Sequence, residues 1–214
     1  MYGHVLQLAR AVEQGAKSVA GADVMLRRVA EFKKVIKKTA DQEYIVKVPE
    51  QQADIPVCTL DGLRQADGAI FGSPTRYGNM TAQMKQLIDS TASLWLNGEM
   101  EGKPAGVFTS TASTHGGQET TLLTMMVALI HLGMVIVGVP YSIEGMIHTE
   151  ARGGTLRRIH HRRSAWRVAA DEGRPRDSGC SWTARCDYNQ ETSRVRRVLV
   201  LPTSEPRGRF SKQP

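Results

Sequence analysis

The chain has 214 residues, 41% of them apolar, enough for one domain with a sizeable core. No run of about 18 apolar residues and no basic-then-apolar leader is present, which argues against membrane insertion and against secretion. The net charge of +7 is confined to the end of the chain: residues 156–214 hold 13 Arg and one Lys against six acids, a net of +8, while residues 1–155 carry −1.

The first three-quarters therefore read as a neutral enzyme domain and the basicity as an appendage. Cys58, Cys180 and Cys186 are odd in number and lack metal-ligand spacing. That pattern points to a reducing cytoplasm and a protein without a metal.

In chain order, Val5, Leu8, Ala9, Val12 and Ala16 share one face of a helix that Gly21 closes. Residues 22–29 read as a strand with Val24 and Leu26 inward. A helix ahead of any strand is unusual in an α/β domain, because a right-handed βαβ crossover needs a strand to feed it. Residues 30–60 are polar and lysine-rich, with acids offsetting much of the charge, and read as a surface insertion with a short helix. Thr59-Leu60-Asp61-Gly62-Leu63 has the form of a capped short helix leading to a strand over 66–72.

The strand runs into Phe71-Gly72-Ser73-Pro74-Thr75-Arg76-Tyr77-Gly78-Asn79-Met80, the stretch around which the chain is organised. Pro74 stops the strand and Gly78 permits positive φ. Thr75, Arg76 and Tyr77 offer a hydroxyl, a cation and an aromatic face, a mixture suited to a flat aromatic cofactor with polar edges. On spacing alone an ordinary βα loop is an equal reading. From Thr81 a helix carries Met84, Leu87, Ile88 and Leu94 on one face and ends near Trp95.

A strand over 105–109 then enters a second loop, Ser110-Thr111-Ala112-Ser113-Thr114-His115-Gly116-Gly117, followed by a Leu/Met-rich helix from Gln118 to His131. Backbone N–H groups at such a helix start can hold an anion or the edge of a ring. Residues 134–139 form a continuous apolar run, the mark of a strand covered on both faces. Strands alternating with helices, each strand followed by a glycine-containing loop, predict a doubly wound parallel α/β domain with its ligand at the carboxyl ends of the strands.

The segments Met1-Tyr2-Gly3-His4, the stretch from Gly72 to Met80, Leu94-Trp95, Gly116-Gly117-Gln118-Glu119, His131, Gly133-Met134-Val135-Ile136-Val137 and Arg152-Gly153-Gly154-Thr155 resemble, in order, the WrbA-type NAD(P)H:quinone oxidoreductases. The likeness covers residues 1–155 and implies a flavodoxin-like sheet, FMN bound without metal, NADH or NADPH as donor, a quinone as acceptor, and a homo-oligomer, dimer or tetramer, sharing its active sites. It places Met1, Tyr2, Gly3, His4 and Val5 in the phosphate loop. Thr75, Arg76 and Tyr77 would flank the isoalloxazine. Ser110, Thr111, Ala112, Ser113, Thr114, His115 and Gly116 would hold its polar edge. His131 would reach FMN from another subunit, and Trp95 would line the quinone pocket. As structural alternatives, Trp95 suits a core position and His131 a helix C-terminal cap. The implied chemistry resides in the cofactor and requires no catalytic side chain.

Two departures from the resembled family are expected to matter. The family's first apolar strand and its serine, just before Met-Tyr-Gly-His, do not appear, which leaves the sheet without its first strand and implies an upstream start. After Thr155 the sequence turns basic, and one set of codons able to encode residues 156–163 would, in a neighbouring frame, read Pro-Tyr-Gly-Ala-Ser-Thr-Ile-Ala. Residues 156–214 are therefore read as a frameshift product and a disordered tail, in which Val198-Leu199-Val200-Leu201 is the one apolar run. The tail has no recognisable nucleic-acid module. A non-enzymatic FMN- or partner-binding protein, or an inactive product, is the alternative function.

Overall fold

The apolar face read over residues 5–16 forms α1 (His4–Lys17), with Val5, Leu8, Ala9, Val12 and Ala16 buried. The computed structural model describes residues 4–32, 52–111, 113, 115–139, 153–154, 157–161 and 196–202, with 153–154 and 157–161 as backbone. Most of the expected lysine-rich insertion lies outside the described residues. After α1 come β1 (Asp23–Leu26), α2 (Leu60–Gln65) and β2 (Gly68–Pro74). Thr59 caps α2 as expected, its hydroxyl accepting the Gly62 N–H at 3.1 Å.

The helix expected from Thr81 is two helices, α3 (Ala82–Asp89) and α4 (Ala92–Leu96). Thr81 caps the first, accepting the Met84 N–H at 3.3 Å. At the break, Ser90 Oγ donates to Leu87 O at 2.7 Å and Thr91 Oγ1 to Ile88 O at 2.6 Å. These hydroxyls take carbonyls that continuing helix would use. Then follow β3 (Pro104–Thr111), α5 (Gln118–His131), β4 (Val135–Ile136), β5 (Gly153–Gly154), β6 (Arg157–His161) and β7 (Arg197–Pro202).

The sheet order is β1-β7-β2-β3-β6-β5, with β4 also paired to β3. Every pairing is parallel except β5 with β6. The doubly wound, flavodoxin-like class is as expected. Helices cover both faces. On one face Met84, Leu94, Leu122, Met125 and Leu129 pack with Phe71, Leu199 and Leu201. On the other, Val5, Leu8 and Val12 of α1 pack with Leu26, Ile70, Phe108 and Val200.

Two expectations are corrected. The position between β1 and β2 is not left open, and the tail is not wholly without structure: β7 lies there, with Val200 beside Leu26 and Ile70. A strand covered on both faces must be apolar on both, and 198–201 is the run in the tail that meets this condition. Residues 159–161 of the tail likewise pair with Thr109–Thr111 of β3. The apolar run at 134–139 contains only the two-residue β4, and Val135 and Val137 are exposed. Strand β4 pairs with only Pro104 and Ala105 at the start of β3, so apolarity there does not report burial on both faces.

Candidate cofactor site

At the carboxyl end of β2 the chain makes a tight turn. Arg76 N–H donates to Asn79 O at 2.7 Å and Asn79 N–H to Arg76 O at 2.9 Å. Between them Tyr77 has φ 52° and Gly78 φ 76°. Two successive positive φ values define a type I′ turn, which asks for glycine or asparagine at both places. A tyrosine there accepts strain of about 1–2 kcal/mol. The turn sends the Tyr77 side chain wholly into solvent, at 101% relative exposure. Strain is thus held in a loop at the carboxyl end of the sheet, with an aromatic ring packed against none of the described residues.

This turn is fastened to the loop after β3. Gly117, with φ 87°, caps α5, and a Cβ on it would stand 2.9 Å from Gly78 Cα. Only glycine allows the two loops to approach that closely. Thr121, buried one turn into α5, brings its hydroxyl 2.6 Å from Thr75 Oγ1 and donates to Gly117 O at 2.7 Å. Asn79 Oδ1 accepts from Met80 N–H at 2.8 Å and from Thr124 Oγ1 at 3.1 Å. Within the second loop, Thr111 Oγ1 and Gln118 Nε2 both donate to Ser113 O, at 2.7 and 2.9 Å.

Met1, Tyr2, Gly3, Ala112 and Thr114, all expected at the site, lie outside the described residues. His4 begins α1, and the Val5 side chain is buried against the sheet, so Val5 offers an anion its backbone and not its side chain. Thr75, Arg76 and Tyr77 share one turn, and the Thr75 N–H donates to Ser110 O at 3.4 Å. Ser110 and Thr111 are buried, whereas Ser113 and His115 are exposed. Gly116 sits close enough to Ser113 that a Cβ would meet its Oγ at 2.5 Å.

His131 is the last residue of α5, about 20 Å along the helix from the glycine loop at its start. Trp95 lies on α4, beyond the far end of α3, and is exposed. The fold thus carries both away from their own chain's loops, and Trp95 is not a core residue. Asn79, Gly117 and Gln118, quoted with the motifs but given no role, join the arrangement, and so does Thr121, which was not singled out. The clue in the sequence was a threonine and a glutamine on the buried face of an otherwise Leu/Met helix.

Electrostatically, α1 has no acid in its first turn, so no carboxylate of its own offsets its positive end. Residues 75–79 and 110–117 contain hydroxyls, an amide, a guanidinium and a histidine, but no carboxylate. This donor set fits FMN, an anionic phosphate joined to a flat ring with hydrogen-bonding edges. Cys58 takes no part: burial pushes its thiol up to about 12 despite Arg27 nearby, so it stays protonated.

Residues 3–149 match the family described as NADPH-dependent FMN reductase. The chain is 48% identical over 156 residues to an NAD(P)H dehydrogenase (quinone) of Geotalea uraniireducens, covering 72% of this chain and 76% of that one. It is also 48% identical to an NAD(P)H dehydrogenase (quinone) of Geobacter metallireducens, with the same coverage of 72% and 76%. A solved flavodoxin, WrbA-like protein from Agrobacterium tumefaciens aligns at 25% identity and a TM-score of 0.43, over 66% of this chain and 73% of its own. The matched length and identity place the chain in the NADPH-dependent FMN reductase family, as an NAD(P)H-dependent flavin oxidoreductase with FMN as its cofactor, which two fastened loops at the carboxyl end of a parallel sheet suit.

Proposed function

We propose that the protein catalyses the two-electron reduction of quinones by NAD(P)H. The observation that carries this reading is the strained turn at Tyr77, fastened through Thr75 and Thr121 to the glycine loop after β3. When bound, FMN supplies at N5 a centre that accepts a hydride from NAD(P)H and returns it to a quinone.

The chain's own residues bind and orient. The phosphate falls to Met1, Tyr2, Gly3, His4 and Val5, of which His4 and Val5 open α1 and offer it backbone N–H groups. Thr75, Arg76 and Tyr77 flank the ring, and residues 110–116 offer donors to its polar edge. The I′ turn fixes the backbone at Tyr77, so only the side chain remains to be ordered on binding. No side chain is required to form a bond to substrate.

Leu123, Val127 and Ile130 form an exposed apolar stripe along α5, which ends at His131. Such a stripe is the kind of surface that a second copy covers. This supports a homo-oligomer in which His131 and Trp95 complete a neighbour's site. The absence of any long apolar helix among the described residues argues against helical membrane insertion. A buried thiol at Cys58 suits the cytoplasm.

The test is the visible spectrum after incubation with FMN and gel filtration. Flavin bands should co-elute with the protein, bleach on NADH or NADPH, and return on adding benzoquinone. A colourless protein, or bleached flavin that benzoquinone does not reoxidise faster than free flavin, refutes the proposal. Val127→Glu should shift the elution volume towards a monomer if α5 is the contact.

A further inference from the structure

We propose that strand β7 supplies the sheet position that runs into α1, so that the cofactor site draws on residues 197–202 together with α1 and FMN binding depends on β7. The inference rests on the FMN reading above for its second half and on the sheet alone for its first.

β7 is an interior strand, parallel to both neighbours, with Asp23 to Leu26 on one side and Gly68 to Gly72 on the other. Leu199, Val200 and Leu201 have no exposed surface. Alternate side chains serve opposite cores: Leu199 and Leu201 join the face of α3 and α5, and Val200 joins the face of α1. A segment lying on the surface by accident would satisfy one face at most.

Both ends of β7 are tied down. At its start, the Asp67 carboxylate accepts the backbone N–H groups of Arg196 and Arg197, each at 2.8 Å. Towards its end, Arg27 N–H donates to Val200 O at 2.9 Å and Val29 N–H to Pro202 O at 3.3 Å. Pro202 ends the strand beside Gly72, as Pro74 ends β2 two residues further on. Because β7 is parallel to β2 and β3, its carboxyl end reaches the sheet edge that carries their loops, the edge where open α/β sheets bind ligands.

The family match stops at residue 149, so this strand comes from outside the matched segment. In an unbroken βα unit the strand and the helix N-terminus are joined by the phosphate turn. Here the same two elements come from residues 197–202 and from residue 4 onward. The residues of β7 are positioning residues: they hold α1 against the sheet and do not touch the cofactor.

Amide hydrogen exchange on the full chain, with and without FMN, tests the proposal. Amides of Leu199, Val200 and Leu201 should be protected to the same level as those of Ile70, Phe71 and Gly72. FMN should slow the start of α1 and β7 together. Val200→Asp in the full chain should weaken FMN binding about 100-fold or more, because it buries an unpaired carboxylate. Val200→Ile should bind within about 2-fold of the original, since volume and polarity are nearly kept. Free exchange at 199–201 while β2 stays protected overturns the strand assignment and leaves the cofactor reading standing. Protected β7 amides in a protein that binds no FMN overturn the dependence and the cofactor reading while leaving the sheet intact. FMN bound equally well by Val200→Asp overturns the dependence alone.

Discussion

Asp67 and Arg197, 130 residues apart in the chain, are joined twice: Asp67 Oδ2 accepts the Arg197 N–H at 2.8 Å, and the Asp67 N–H donates to Arg197 O at 2.8 Å. The carboxylate also accepts the Arg196 N–H, so one side chain sets where β7 begins. Asp67→Ala should lower stability by about 1–2 kcal/mol, as expected for charge-assisted bonds at a half-buried site. Asp67→Asn keeps an acceptor and should lose less. Urea unfolding followed by circular dichroism measures both, and equal midpoints for all three proteins would show that the clamp contributes nothing.

The hydroxyl of Thr121 ties both site loops to α5, and its partner Thr75 Oγ1 is partly buried. Thr121→Val preserves the shape and removes the bond. The change should destabilise by about 1–3 kcal/mol, because the partners left behind lose their bond. FMN affinity should fall several-fold as the turn at 75–79 loosens. Unchanged FMN fluorescence quenching in a measurably destabilised variant would separate the loop tie from the binding.

Tyr77 separates stability from binding. It sits at φ 52° with its ring buried against nothing, so Tyr77→Gly relieves strain and removes no packing. Stability should hold or rise by about 1 kcal/mol, and Tyr77→Ala, which keeps the strain, should not rise. Both variants should bind FMN more weakly. Tighter binding by either would remove Tyr77 from the site.

Cys58 imposes a pH dependence unrelated to the cofactor. Burial raises its thiol from 9.0 to about 12, so the folded state holds the proton more tightly than the unfolded chain. This contribution is fully present below pH 9 and is lost as pH rises through about 12. Thermal melts should therefore show Cys58→Val losing less stability than the original protein between those values. At pH 8 a thiol reagent should label Cys58 only as fast as the protein opens. Rapid labelling of native protein at that position would contradict the burial.

Local patterns in the sequence determined a great deal of this protein. The face repeated from Val5 to Ala16, the cap at Thr59, the helix start at Thr81 and the two glycine loops all appear where the periodicity and the capping chemistry place them. Each depends on residues within one or two turns of one another, so the pattern carries its own cause. The stretch around Tyr77 is local too, but on spacing alone it reads equally as an ordinary βα loop, and the family resemblance is what singles it out. The tertiary structure decided what depends on distant partners. The break at Ser90 and Thr91 is an exception, made locally by hydroxyls that take carbonyls three residues back while the apolar face runs on through it. The tie from Thr75 to Thr121 spans 46 residues and leaves no periodic trace. Position 135, apolar in a run that reads as buried, is exposed because β4 meets only the first residues of β3. The clearest case is β7. Four apolar residues in a basic tail look like a local collapse until a position between β1 and β2, walled by α1 on one side and by α3 and α5 on the other, requires a strand apolar on both faces. Strand pairing is non-local, so the sequence shows the candidate strand and only the assembled sheet assigns its place.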